Sequence, residues 1–155
     1  MIVVVIGSIG AGKTTLTKRM ALEMGFIRIG ADDIRLQMTG SPTSWSPVVW
    51  SELRRRVLLA VADDRDVVVD ATGSASRFPS LIAALSPDLI VRLESDWRTW
   101  ADREKRRGRN GVSYKDWRYS LTGSRRVRAG LVVDTTRISP SAVYMTVADR
   151  ISHTP

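Results

Sequence analysis

Apolar residues fall along this chain in two kinds of run. Unbroken, largely β-branched runs at residues 2–6, 67–69, 89–93 and 131–133 have the pattern of strands buried on both faces, and 26–29 makes a further short strand. Between them apolar positions recur every three or four residues, which predicts helices. One spans 13–24, with Leu16, Met20, Ala21 and Met24 on one face and Gly25 as its stop. A second spans 48–62 with Val49, Leu53, Val57 and Val61 facing inward; others cover 79–85 and 97 to about 107. Ser139 followed by Pro140 opens a final helix, serine capping and proline in the first helical position.

No repeat, low-complexity tract or Gly/Ser linker divides the chain, so a single domain over 1–155 is expected. Strands alternating with helices predict an α/β fold: a five-stranded parallel sheet, right-handed crossovers, and helices on both faces. In such a sheet the ligand lies beyond the carboxyl ends of the strands. That rule singles out Gly7, residues 30–33, 70–73 and 94–96.

Composition narrows the chemistry. There is no cysteine, which excludes disulfides, thiolate nucleophiles and cysteine-metal sites. The lone histidine, His153, sits near the end of the chain and leaves little room for histidine catalysis or a zinc cluster. No apolar run reaches the length of a membrane span. The opening residues read as a buried strand rather than a signal peptide, so a cytoplasmic setting without a membrane partner is expected. A net charge of +8 favours a polyanionic partner, nucleic acid first and a phosphorylated small molecule second. Nucleotide binding alone would also call for positive charge.

The segment from Gly7 to Thr14 fits G-x-x-x-x-G-K-[ST] at every fixed position, between a buried strand and an amphipathic helix. Gly10 and Gly12 let backbone N–H groups turn toward a phosphate, and the helix N-terminus adds unsatisfied donors. Ser8, Ile9, Gly10, Ala11, Gly12, Lys13, Thr14 and Thr15 are therefore the candidate nucleotide-binding residues, with Lys13 reaching the β- and γ-phosphates and Thr14 holding Mg2+. No N-K-x-D string that would read guanine occurs, and the chain is short for a motor, which leaves small kinases.

At the second strand's end stand Asp32, Asp33 and Arg35. Asp32, from a neighbouring strand tip, is placed to accept the proton of an acceptor hydroxyl. Arg35, one helical turn on, shares its face and would bind the acceptor; Asp33 would offset a helix dipole. Asp70 closes the third strand in the manner of a carboxylate that contacts Mg2+. Asp134 has the same form, but its Asp-Thr-Thr context reads as a turn. In the helix from 97, Trp97, Trp100 and Ala101 share a core face, while Arg103, Arg106 and Arg107 follow i, i+3, i+4 spacing on another. Arginine forks there match the equatorial oxygens of a transferring phosphoryl group, and 108–111 would let the helix end close as a lid. Arg54, Arg55 and Arg56, with Trp45 and Trp50, could contact a nucleic-acid strand; the alternative is a solvated helix face with Trp50 in the core. The adenine pocket is expected around 126–128 and 134–137.

These blocks resemble the P-loop polynucleotide 5′-kinase family, as in the kinase domain of bacteriophage kinase/phosphatases, from residue 2 to about 113. The resemblance rests on the phosphate loop, on Asp32-Asp33-Ile-Arg35 and on Asp70-Ala-Thr72. It implies a nucleoside-monophosphate-kinase-like fold with an arginine-bearing lid, ATP and Mg2+ as cofactors, and Asp32 as the base activating a 5′-hydroxyl. It further implies Arg35 on the acceptor's 3′-phosphate, Asp70 and Thr72 lining the acceptor tunnel, and Arg103 and Arg107 as the lid arginines. Four functions stay open: a 5′-hydroxyl nucleic-acid kinase, a kinase of a hydroxymethylated base in DNA such as 5-hydroxymethyluracil, a small-metabolite or nucleoside kinase, and a regulatory nucleotide-binding module.

Overall fold

In a computed structural model the described residues are 1–41, 46–106, 108 and 113–154. The elements in chain order are β1 (Ile2–Gly7), α1 (Lys13–Met24), β2 (Ile27–Gly30), α2 (Ala31–Thr39), α3 (Val48–Ala62), β3 (Val67–Asp70), α4 (Phe78–Leu85), β4 (Leu89–Glu94), α5 (Trp97–Arg106), α6 (Tyr114–Ser124), β5 (Leu131–Asp134) and α7 (Pro140–Ser152). The sheet is five-stranded, ordered β2-β3-β1-β4-β5, and every pairing is parallel. The predicted fold class therefore holds. No described helix is long and apolar enough to cross a membrane.

Strand parity splits the core in two. Val3 and Val5 pack with Leu16 and Met20 of α1 and Val143 and Val147 of α7, whereas Val4 and Ile6 pack with Ile34, Leu53, Val57 and Phe78 on the opposite face. All four β1 side chains have no exposed surface, which accounts for the unbroken apolar run. Each such burial contributes about 1.5–3 kcal/mol of transfer free energy. Val61, expected inward, is 40% exposed; the packed stripe of α3 ends with Val57.

The sheet order corrects one expectation. β2 pairs with β3 and not with β1, so the strand that carries Asp32 is one place removed from the phosphate-loop strand. The crossover through α1 skips a position, which right-handedness permits and strand alternation does not reveal.

Two helices lie where no helix was assigned. α2 follows β2 without a turn and ends at Gly40, whose N–H donates to the Leu36 carbonyl at 2.9 Å. α6 opens with a capping box in which Ser113 and Asp116 each bond the other's backbone N–H. Gly123, which argues against a helix in sequence, lies inside α6 because a Cβ there would stand 2.6 Å from the Cα of Ser74. The helix needs glycine to approach the loop after β3.

At the other end of that approach Gly7 has φ +141°, and a Cβ would meet the Leu93 carbonyl oxygen at 1.9 Å. Gly7→Ala is expected to cost more than about 1 kcal/mol, read as a lowered urea midpoint at unchanged m-value.

Candidate active site

The carboxyl ends of β1, β2 and β3 surround a cavity of about 300 Å³, lined by Ile9, Gly10, Gly12, Lys13, Thr14, Thr15, Asp32, Asp70, Ala71 and Thr72. Residues from three separate blocks of the sequence thus meet in one space.

Lys13 begins α1, and its ammonium donates to the carbonyls of Gly7 at 3.2 Å and Ser8 at 2.8 Å. It is held over the loop that an incoming phosphate would occupy. Ser8 does not line the cavity; its side chain is fully buried and its hydroxyl has no hydrogen-bond partner among the described residues. Its part in the loop is played by its backbone. The Ile9 N–H is bound to the Ser120 hydroxyl at 3.0 Å, which ties the loop to α6. Ala11 faces a second cavity, described below, and Gly10, Gly12 and Thr15 border both.

Asp70 is 6% exposed and would be costly to bury alone. One of its oxygens, Oδ2, accepts from Thr14 Oγ1 at 2.8 Å, Thr17 Oγ1 at 3.3 Å and Arg28 Nη2 at 2.7 Å. Arg28 reaches across from β2, bonds Thr17 through Nε at 2.9 Å and pairs with Asp33 through Nη1. Burial works against the Arg28 charge, but the hydrogen bonds from Asp70 and Asp33 hold its pKa above the ordinary arginine value. Asp33 is therefore more than a dipole-offsetting residue: it anchors the first turn of α2 to the network around Asp70.

The same turn presents Asp32. Its carboxylate is 73% exposed, forms an ion pair with Arg35 one turn on, and borders the cavity opposite Lys13. Thr72 lies at the cavity's edge, 3.3 Å from the Ser74 hydroxyl, and its carbonyl accepts from Gly7 N–H at 3.3 Å. Arg35 and Thr72 also border a third cavity, of about 260 Å³.

Arg103 stands elsewhere. The stacked Trp97 and Trp100 fix α5, with ring centroids 4.6 Å apart and Trp100 only 2% exposed. This orientation turns Arg103 to the end of β5, where it donates to the Thr135 carbonyl at 2.6 Å and to the Gly10 carbonyl at 3.4 Å. It lines the second cavity, about 180 Å³, with Arg19, Ile138, Pro140 and Val143. Asp32 is not in that cavity. Arg106 is exposed, and Arg107 and the 109–112 part of the expected lid lie outside the described residues.

The expected base pocket is met only in part. Thr135 and Ile138 border the second cavity, but residues 126–128 do not; Val127 belongs to the core. Asp134 accepts from the Thr136 N–H at 2.9 Å, the turn geometry read from Asp-Thr-Thr. Arg55 and Arg56 both clasp Glu52, holding its pKa down at about 2. Trp50 packs edge-on against Phe78 at 5.7 Å, and Trp45 lies outside the described residues.

Arg28 and Ser120 were not among the sequence candidates. Arg28 had a signal: a charge in the middle of the short strand Ile-Arg-Ile-Gly must find a carboxylate. Ser120 had none, because its helix was not assigned.

Mg2+ fits this donor set. Thr14 and Asp70 offer adjacent hydroxyl and carboxylate oxygens on the cavity wall, and Mg2+ is commonly held by few protein oxygens together with phosphates and water. No group of three or more His, Asp or Glu among the described residues forms an all-protein metal cage. Because Arg28 and Asp70 are a buried pair, Arg28→Met should cost about 3–5 kcal/mol of unfolding free energy, and Arg28→Met with Asp70→Asn should recover part of it, both measured by urea titration.

Known proteins place the fold. A profile described as an AAA domain matches residues 2–120. A sugar kinase from Janibacter sp. superposes with a TM-score of 0.70 at 17% identity, covering 99% of this chain and 95% of the other. The APS kinase of Mycobacterium tuberculosis, solved with AMPPNP and APS, gives 0.66 at 19% identity, covering 97% and 96%. A shikimate kinase from Acinetobacter baumannii, solved with shikimate, gives 0.69 at 16% identity, covering 97% and 92%. No curated protein matches in sequence. At these identities the solved structures speak to fold, and the profile, over more than half of the residues, settles the family: the chain belongs to the AAA domain family, as a P-loop kinase-like phosphotransferase domain.

Proposed function

We propose that this protein transfers the γ-phosphoryl group of ATP to a hydroxyl of a nucleic acid, in the first place a 5′-hydroxyl end, with Asp32 as general base. The observation that carries this is the meeting of Lys13, Thr14 and Asp32 around one cavity, with Arg35 leading from it into the next.

In the proposed reaction the loop N–H groups of 10–15 and the Lys13 ammonium hold the β- and γ-phosphates. Lys13 exchanges the carbonyls of Gly7 and Ser8 for phosphate oxygens, a stronger charge-assisted contact. Mg2+, when bound, would neutralise part of the phosphate charge beside Thr14 and Asp70. Asp32 takes the proton from the acceptor hydroxyl, the oxygen forms a bond to the γ-phosphorus, and the bond from that phosphorus to the β–γ bridging oxygen breaks, releasing ADP. Arg35 orients Asp32 through their ion pair. The second cavity suits the nucleoside: it adjoins Gly10–Gly12, is walled by Ile138, Pro140 and Val143, and offers Arg103 for a ring to rest on. Arg103 then acts on the donor base rather than on the transferring group.

The net charge of +8 supports a polyanionic acceptor. A small-metabolite kinase is the second reading, favoured by the third cavity, which at about 260 Å³ is sized for one monomer unit. A hydroxymethylated base flipped from DNA would also arrive as one unit.

The test is a labelled γ-phosphate assay against 5′-hydroxyl oligonucleotides, hydroxymethyluracil DNA, nucleosides, shikimate and sugars. Phosphorylation of the oligonucleotide is expected; transfer to sugar or shikimate alone would overturn the nucleic-acid reading. Asp32→Asn should lower kcat by about 10²–10⁴-fold while ATP-analogue affinity changes less than about twofold. Undiminished turnover would remove Asp32 as base.

A further inference from the structure

The third cavity has a composition that selects for more than a hydroxyl. Arg35 and Arg77 both border it, together with the hydroxyl-bearing Thr72 and Ser74 and the aromatic Trp50 and Tyr119. No acidic residue is among its lining residues. Arg77 is exposed at the start of α4, and its guanidinium has no ion-pair or hydrogen-bond partner among the described residues. Six other arginines, by contrast, are committed to carboxylates: Arg19, Arg28, Arg55, Arg56, Arg92 and Arg125.

A carboxylate is saturated by one bidentate fork, whereas this wall offers two guanidinium groups from separate elements and two hydroxyls besides. A phosphate ester has the oxygens to use them. Tyr119 is 61% exposed, with its hydroxyl 3.5 Å from the Ser74 carbonyl, and its ring gives an apolar surface beside these donors. Such a surface suits the sugar or base of the same unit. Thr72 borders both this cavity and the one holding Asp32, so an acceptor could occupy both at once.

We infer that the Arg35–Arg77 cavity is an anion subsite that holds a phosphate ester carried by the acceptor, one unit away from the hydroxyl that Asp32 deprotonates. It rests on the assignment of Asp32 as base. Arg77 is the residue that distinguishes a phosphorylated acceptor from an unphosphorylated one. The shared chemistry is a sugar bearing both a free hydroxyl and a phosphate, whether the terminal nucleotide of a strand or a free sugar phosphate.

Direct binding to the full chain tests this without turnover. The probes are thymidine, thymidine 3′-monophosphate, glucose 6-phosphate, shikimate and a 5′-hydroxyl hexanucleotide, titrated calorimetrically into the unaltered protein, Arg77→Ala and Arg77→Lys. Thymidine 3′-monophosphate should bind about tenfold tighter than thymidine, and Arg77→Ala should abolish most of that ratio. Arg77→Lys should keep part of it, and AMPPNP affinity should be the same in all three proteins. For the hexanucleotide, Arg77→Ala should reduce the slope of log K against log salt by about 0.7. Glucose 6-phosphate matching the nucleotide supports the subsite with a sugar phosphate as its source, and nucleotide preference supports it with a nucleic-acid end. Equal binding of thymidine and its 3′-phosphate, an Arg77-independent ratio, or shikimate binding as tightly as the phosphates would overturn it. If Arg77→Ala phosphorylates the hexanucleotide at unchanged KM, the subsite fails and the nucleic-acid kinase reading stands. If Arg77-dependent phosphate binding persists but no nucleotide is ever phosphorylated, that kinase reading fails and the subsite stands.

Discussion

A carboxylate sunk at the end of a central strand survives only where cations and donors meet it, and at Asp70 they come from two other elements. Thr14 and Thr17 reach it from the first helix and Arg28 from the second strand. Because Arg28 also grips Asp33, the same cluster sets the helix that presents Asp32. The phosphate loop, the candidate metal oxygens and the candidate base are thereby fixed relative to one another through one ionic network. That coupling matters because the base stands two strands away from the loop, beyond the direct reach of β1 pairing.

Around this network the strand ends divide the space by task. The cavity at Lys13 and Asp32 is polar and central. On one side the Arg103 cavity has apolar walls, fit for a base; on the other, the Arg77 cavity is basic and rich in hydroxyls. α6 braces two of the three, binding Ile9 through Ser120 and packing Gly123 against Ser74. It follows directly on the 107–112 segment, so the helix joins the expected lid region to both the donor loop and the acceptor wall.

Much of this was legible in the residues. The buried strands, the phosphate loop and the proline-started last helix each carry a local signal with a physical cause, and each appears where expected. Asp32, Asp70 and Thr72 were singled out because strand ends in a parallel sheet face the ligand, and they do converge. What stayed hidden depends on contacts between distant residues. α2 buries only Ala31 and Ile34, too few for a periodic signal, and the glycine in α6 looks like a breaker until Ser74 is seen against it. Arg103 read as a lid arginine because its spacing matched Arg107; the tryptophan stack that turns it toward Thr135 is tertiary. Strand order is of the same kind, since alternation does not say which crossover skips a place.

The central claim is that Asp32 faces the outermost phosphorus of a triphosphate gripped by the loop and Lys13. A crystal structure with Mg2+, ADP, aluminium fluoride and a 5′-hydroxyl oligonucleotide tests it most directly. The account predicts the acceptor oxygen in line with the phosphoryl mimic and about 2.6–3.2 Å from an Asp32 oxygen. An acceptor oxygen bonded to another carboxylate, with Asp32 turned to solvent, would contradict it.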